Sequence, residues 1–158
     1  MKNIKKYKEI KESFNDVEEP YITLGLPPLR IDKNLRNLLT YRGFEDLQIP
    51  GAFLEIFADT TDLHVPQIID ILNISKSTFY RIKDDEVLET EIIDKLASVL
   101  KIYNLGIKAF GDKNDFHLWL NSRVINLGNK MPIDLLNTEN GRAAVLDAID
   151  RIEYGIYG

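Results

Sequence analysis

The chain contains no cysteine. That excludes disulfides, thiol nucleophiles and zinc–thiolate sites. Histidine is nearly as scarce: His64 and His117 are the only two, and neither stands at metal-ligand spacing from another ligand type on one helix face. His64 is expected to help start a helix and His117 to lie on the surface. No metal and no cofactor is expected. There is no glycine-rich phosphate cradle and no serine nucleophile motif. Glu89, Glu91 and Asp94 form the one acidic grouping that resembles an acid pair, and no pocket-forming glycine loop accompanies them. The chain is therefore not expected to be an enzyme. No apolar run approaches membrane-spanning length, and the first residues hold no apolar signal core. A cytoplasmic protein with no membrane partner is the expectation. A basic excess is missing too. The formal net charge is −5, so any contact with nucleic acid must come from a local patch. The same acidity suits a more basic protein partner.

What is present begins with a chain of 158 residues, 44% of them apolar, enough for one or two small domains with a real core. Its organising stretch is Leu63 to Lys83, LHVPQIIDILNISKSTFYRIK. Pro66 suits a first helical turn, where its missing N–H is not needed. Ile68, Ile69, Ile71 and Leu72 make an apolar helix face. Asn73 tolerates the left-handed conformation that ends a helix, and Ile74 plugs the corner. Ser75 is a good N-cap for a second helix, in which Phe79 and Ile82 face inward.

The outer face of that second helix carries the functional signal. Ser75, Lys76, Ser77, Thr78, Tyr80, Arg81 and Lys83 are left there, with no acid between Ser75 and Lys83. Cations meet phosphates, and short polar side chains near a helix start can reach base edges in a major groove. Two helices across a tight turn with such a face describe a helix-turn-helix that binds operator DNA. The plainer alternative is an αα-corner with a solvated face. A single helix of this kind binds weakly and with strong salt dependence, so a homodimer is expected. The segment resembles the helix-turn-helix of Xre-type regulators, with one departure: Ile69 stands where that family usually has a small residue.

Around this stretch the chain divides as follows. Residues 1–43 read as an N-terminal arm and possible dimerisation region. Ile4, Tyr7, Ile10 and Phe14 lie at helical spacing among charges, Gly25, Pro27 and Pro28 break the chain, Tyr21 to Leu24 suits a brief strand, and Leu29 to Tyr41 is helical. Residues 44–108 hold the DNA-binding domain. AFLEIFADTTD is a supporting helix with Phe53, Leu54 and Phe57 inward, Asp84-Asp85 is a charged break, and Leu88 to Gly106 is a long spine. Residues 109–158 form a compact helical unit. It has a helix from Asp112 to Asn121 burying Phe116, Trp119 and Leu120, a turn at Asn126 and Gly128, and a short helix from Ile133 to Leu136. A last helix follows, capped by Thr138 or Asn140, with Ala144, Val145, Ala148, Ile149 and Ile152 toward the core. Gly155 ends it and leaves Ile156-Tyr157-Gly158 as a free tail. The fold class is all-α: a helix-turn-helix bundle, a small helical domain and a helical arm.

The last third is more specific than its periodicity. Phe116 with Trp119-Leu120, Gly128 with Pro132 and Leu135-Leu136, Asn137-Thr138 with Gly141, then Val145, Ile149, Ile152 and Gly155 resemble the toxin-binding domain of Xre/MbcA/ParS-type antitoxins. The resemblance implies an antitoxin of a type II toxin–antitoxin module. Its partner would be a cognate NAD-consuming toxin, of the RES type or the ADP-ribosyltransferase type, whose active-site cleft it covers in part with its C-terminal end. It would also repress its own operon. Asn137, Thr138, Gly141, Arg142, Tyr154, Gly155 and Tyr157 are the candidate toxin contacts. Tyr154 and Tyr157 stand out because an aromatic after a helix stop has little of its own chain to bury against, and tyrosine favours interfaces. Asn137-Thr138 also suits a plain helix cap, and Arg142 and Arg151 suit a solvated face or acidic toxin groups. The alternative function is a plain DNA-binding repressor whose C-terminal domain only dimerises.

Overall fold

The computed structural model describes residues 49–155 apart from Glu86. The arm over residues 1–43, the expected strand and helix within it, and the tail residue Tyr157 lie outside the described residues. Among the described residues there are six α-helices: α1 Phe53–Thr61, α2 Val65–Leu72, α3 Lys76–Asp85, α4 Thr90–Phe110, α5 Lys113–Leu120 and α6 Glu139–Glu153. Two short 3₁₀ turns, Ile125–Leu127 and Pro132–Leu135, lie between α5 and α6. No strand occurs among the described residues; Pro50 with Val87 and Val124 with Lys130 form isolated antiparallel bridges. The described chain is all-α, as its sequence predicts.

Several helix ends have a local cause. Asp62 and Asn73 adopt left-handed backbone after α1 and α2, with φ of 53° and 57°. The Lys95 ammonium donates to the Leu72 carbonyl at 3.1 Å, which satisfies an acceptor that α2 leaves open and places a cation at the negative end of the helix. At the start of α2, Pro66 occupies the first turn and the His64 N–H donates to the Gln67 side chain at 2.9 Å. Ser75 starts α3: its hydroxyl accepts from the Thr78 N–H at 3.0 Å. Asp112 starts α5, accepting from the Asn114 N–H at 2.6 Å. Of the two candidate caps of α6, Thr138 is the one used, and it accepts from the Gly141 N–H at 3.1 Å.

The spine α4 is 21 residues long and packs against α1, α2, α5 and α6. Its buried residues, from Ile92 through Leu96, Val99 and Tyr103 to Ile107, join one apolar cluster. That cluster includes Phe53, Phe57, Ile68, Phe79 and Ile82 on one side and Phe116, Leu136, Val145 and Ile149 on the other. The spine differs from its expected span. Leu88 is buried but precedes it, and Gly106 lies inside it. The stop is Gly111, in the left-handed region at φ 75°, whose N–H donates to the Ile107 carbonyl. Apolar spacing alone placed the end at the first glycine. Gly106 is there for contact: a Cβ on it would lie 2.2 Å from the Phe116 ring. The expected boundary between residues 108 and 109 therefore falls within a continuous helix.

Three further expectations are corrected. Asp84 and Asp85 belong to the last turn of α3 rather than to a break after it. Trp119 is only partly buried, stacked on Phe116 with ring centroids 5.9 Å apart. Ala144 is exposed, and its place on the core face is taken by Arg142, three residues before Val145.

Candidate functional site

Two surfaces bear the candidate residues. The first is the outer side of α3. Phe79 and Ile82 are buried, at 3% and 4% exposure, and this fixes which way the helix faces. Ser75, Lys76, Ser77, Tyr80 and Arg81 are exposed, while Thr78 and Lys83 are partly buried. The hydroxyls of Ser75 and Thr78 hydrogen-bond each other at 2.8 Å, so both already serve the helix start. Lys83 is not an open cation. It forms an ion pair with Glu55 of α1. Counting charges along α3 alone could not reveal that carboxylate, because it arrives from another helix. Lys76 and Arg81 are the exposed cations of this helix, with Tyr80 between them, its ring set edge-on to Phe79 at 5.5 Å.

The second surface belongs to the C-terminal unit, whose inner side explains much of its sequence. Phe116 is fully buried in an aromatic nest, edge-on to Tyr103 at 5.2 Å and beside Phe110 at 5.9 Å. Phe110 in turn contacts Trp119 at 5.3 Å. His117, expected on the surface, is partly buried instead. Its ring meets Tyr103 at 5.5 Å, and its Nε2 is buried without a hydrogen-bond partner, as is the Tyr103 hydroxyl. Burial pushes the His117 imidazole below its ordinary value, helped by the nearby Lys113 charge and opposed by Asp62 and the Thr61 carbonyl. Burial, with the Asp62 charge, pushes the Tyr103 phenol up. Lys113 pairs with Asp62, fastening the start of α5 to the end of α1.

The candidate toxin contacts separate by burial. Arg142 is 9% exposed; its Nη1 donates to the Leu136 carbonyl at 2.9 Å and its Nε to Ser98 Oγ at 3.1 Å. The guanidinium is thus turned into the fold, tying α6 to α4 and to the turn before it, rather than toward solvent. Gly141 is buried as well, and a Cβ there would stand 2.0 Å from the Leu135 carbonyl oxygen. Asn137 is partly buried and Thr138 is exposed. Past α6, Tyr154 is 75% exposed and Gly155 takes a left-handed φ of 65°. Arg151 is exposed and pairs with Asp147 one turn earlier at 3.0 Å. Glu153 pairs with Lys108 at 2.6 Å, linking the end of α6 to the end of α4.

Two exposed aliphatic side chains of the C-terminal unit escaped the sequence reading, Leu118 at 68% and Ile125 at 85% exposure, as did Val87 before α4 at 52%. Leu118 carried a signal, since it lies two residues from both Phe116 and Leu120, on the opposite side of α5. Ile125 carried none, because its turn has no period to read. Among the described residues no group of three or more metal-ligating side chains comes together, and no helix is long and apolar enough to cross a membrane.

The C-terminal unit matches a known family. Residues 106–155 match the antitoxin Xre/MbcA/ParS C-terminal toxin-binding domain, a stretch that begins at the glycine seating Phe116 and ends at the glycine after α6. The chain is also 30% identical, over 84 residues, to a protein of Yersinia enterocolitica named Antitoxin Xre; the aligned part is 52% of this chain and 57% of that protein. The chain thus spans little more than half the length of this relative. Both matches are thus to antitoxins, the first to the toxin-binding domain alone and the second to part of one such protein.

Proposed function

We propose that the chain is the antitoxin of a type II toxin–antitoxin module. In this account it occludes the active site of a cognate NAD-consuming toxin, of the RES or ADP-ribosyltransferase type, and catalyses nothing itself. The observation that carries the proposal is the match of residues 106–155 to a toxin-binding domain, within which Tyr154 stands exposed just past α6. Asn137, Thr138, Tyr154, Gly155 and Tyr157 are the proposed contacts. Gly141 and Arg142 contribute by holding α6 in place.

The same protein would repress its own operon through α2 and α3 as a helix-turn-helix, binding as a dimer. Lys76, Ser77, Tyr80 and Arg81 would face the DNA, Ser75 and Thr78 would set the start of the reading helix, and Lys83 would brace it against α1. In domain terms, residues 1–43 would be the arm, 44–108 the DNA-binding part and 109–158 the toxin-binding part, with α4 common to the last two. The exposed polar face of α3 equally supports the alternative of a plain repressor whose C-terminal unit only dimerises.

One experiment separates the two. The chain is co-expressed with the product of the adjoining reading frame, and growth and cellular NAD are followed. The full chain should restore growth and NAD, and a chain lacking residues 154–158 should fail to do so. Equal growth with both chains while the adjoining product stays toxic alone would remove the proposed role of the tail. No toxicity from that product in any arrangement would favour the plain repressor.

A further inference from the structure

The segment after α5 has an unusual distribution of side chains. Residues 121–123, 125, 126 and 128–130 are all exposed, yet the loop is firmly built. The Val124 N–H donates to the Lys130 carbonyl and the Asn129 N–H to the Val124 carbonyl, each at 3.0 Å. The Arg123 guanidinium closes the loop onto the Asn129 carbonyl at 3.0 Å. Leu127 packs against the core and roots the loop on the body of the unit. Two residues away, Ile125 stands at 85% exposure, and Leu118 on the preceding helix at 68%.

Displaying two large aliphatic side chains on a firmly hydrogen-bonded loop and helix forgoes the free energy that burial would provide. A preordered loop also loses little freedom when something covers it. The only charged residues between 121 and 130 are Arg123 and Lys130, both exposed, and neither is paired with a carboxylate among the described residues. In a chain with net charge −5, the loop thus carries two exposed cations close in sequence to the exposed Ile125. Apolar side chains at the core of a contact with polar ones around them are the general anatomy of a protein interface.

We infer that Leu118 and Ile125 form a second anchor for the toxin, separate from the tail at Tyr154, and that they fill an apolar pocket rimmed by acidic groups. The inference rests on the antitoxin reading, since what points to the occupant is the toxin-binding family matched over residues 106–155. Tail and patch then play different parts. The tail enters the cleft, while the patch fixes where on the toxin the antitoxin sits.

The test measures affinity between the full-length chain and the purified product of the adjoining reading frame, for wild type, Ile125→Asp, Ile125→Ser, Leu118→Asp and the control Asp150→Asn. Ile125→Asp and Leu118→Asp should each weaken binding by about thirty-fold, the size of a hot-spot loss, with melting temperatures within about 1 °C of wild type, as expected for exposed sites. Ile125→Ser should weaken it less, and Asp150→Asn should leave it unchanged. Wild-type affinity in both Asp variants would overturn the patch and leave the antitoxin reading standing. Failure of the wild-type chain to bind at all would overturn both. A change in oligomeric mass of Ile125→Asp by light scattering would assign the patch to contacts between copies of this chain, which also overturns the inference. Should Ile125→Asp melt early, the Ile125→Ser variant decides the matter.

Discussion

The outer face of α3 and the C-terminal unit dispose of their polar residues in opposite ways. On α3 most of the polar side chains are displayed, and the apolar Phe79 and Ile82 hold the helix down. In the C-terminal unit the distinctive polar and small residues, Arg142 and Gly141, are turned inward, and aliphatic side chains are displayed instead. A surface that meets a charged polymer can consist of a helix's ordinary polar side. A surface that meets a folded protein needs apolar centres on a rigid support, and the residues supplying that rigidity are buried. Family-marking residues in such a domain mostly report how the support is built.

The sharpest way to break this comparison is at Phe116. Phe116→Ala would empty the aromatic nest that Gly106 makes room for, and should cost about 4 kcal/mol of stability by chemical denaturation. By contrast, Tyr80→Ala on α3, where the ring is 43% exposed, should cost well under about 1 kcal/mol. Equal losses would show that α3 is held by its outer face too.

Next in size is the contrast between two arginines. Arg142→Ala leaves the Leu136 carbonyl and Ser98 without their donor, and should cost about 2 kcal/mol, with toxin affinity falling only as far as the fold loosens. Arg81→Ala, at an exposed position, should weaken the proposed operator binding and flatten its salt dependence. If Arg142→Ala proved as stable as wild type yet failed to bind toxin, its guanidinium would belong to the interface after all.

The smallest expected effect concerns pH. The folded imidazole of His117 titrates below its ordinary 6.5, so the unfolded chain takes up a proton first as pH falls. This contribution to stability is complete above about pH 6.5 and declines as pH drops toward the folded value. The melting temperature of wild type should therefore fall between about pH 7 and pH 5 more steeply than that of His117→Gln. Parallel curves would show that the ring is well solvated in the folded state.

Helix existence and the apolar faces of α1 through α4 were legible because buried residues there recur at helical spacing and Asn73, Ser75 and Pro66 mark the ends. The error at the end of α4 arose because glycine can stop a helix or make room for a neighbour, and only Phe116, ten residues on, shows which. Arg142 was misjudged for a related reason. It lies three residues before Val145 and seven before Ile149, on the buried face, but its charge suggests solvent until Leu136 and Ser98 are seen to receive it. The Lys83–Glu55 pair and the exposure of Ile125 depend on distant chain segments and irregular backbone, where spacing carries no information.

A single rod of 21 residues, about 31 Å at 1.5 Å per residue, runs through both halves of the molecule. Severing the chain between Lys108 and Ala109 to obtain an isolated C-terminal fragment would strip away the strut on which Phe116 and α6 rest. It would leave the other fragment with Tyr103 and Ile107 facing water. Any dissection meant to test either proposed activity alone should keep the rod whole in both pieces.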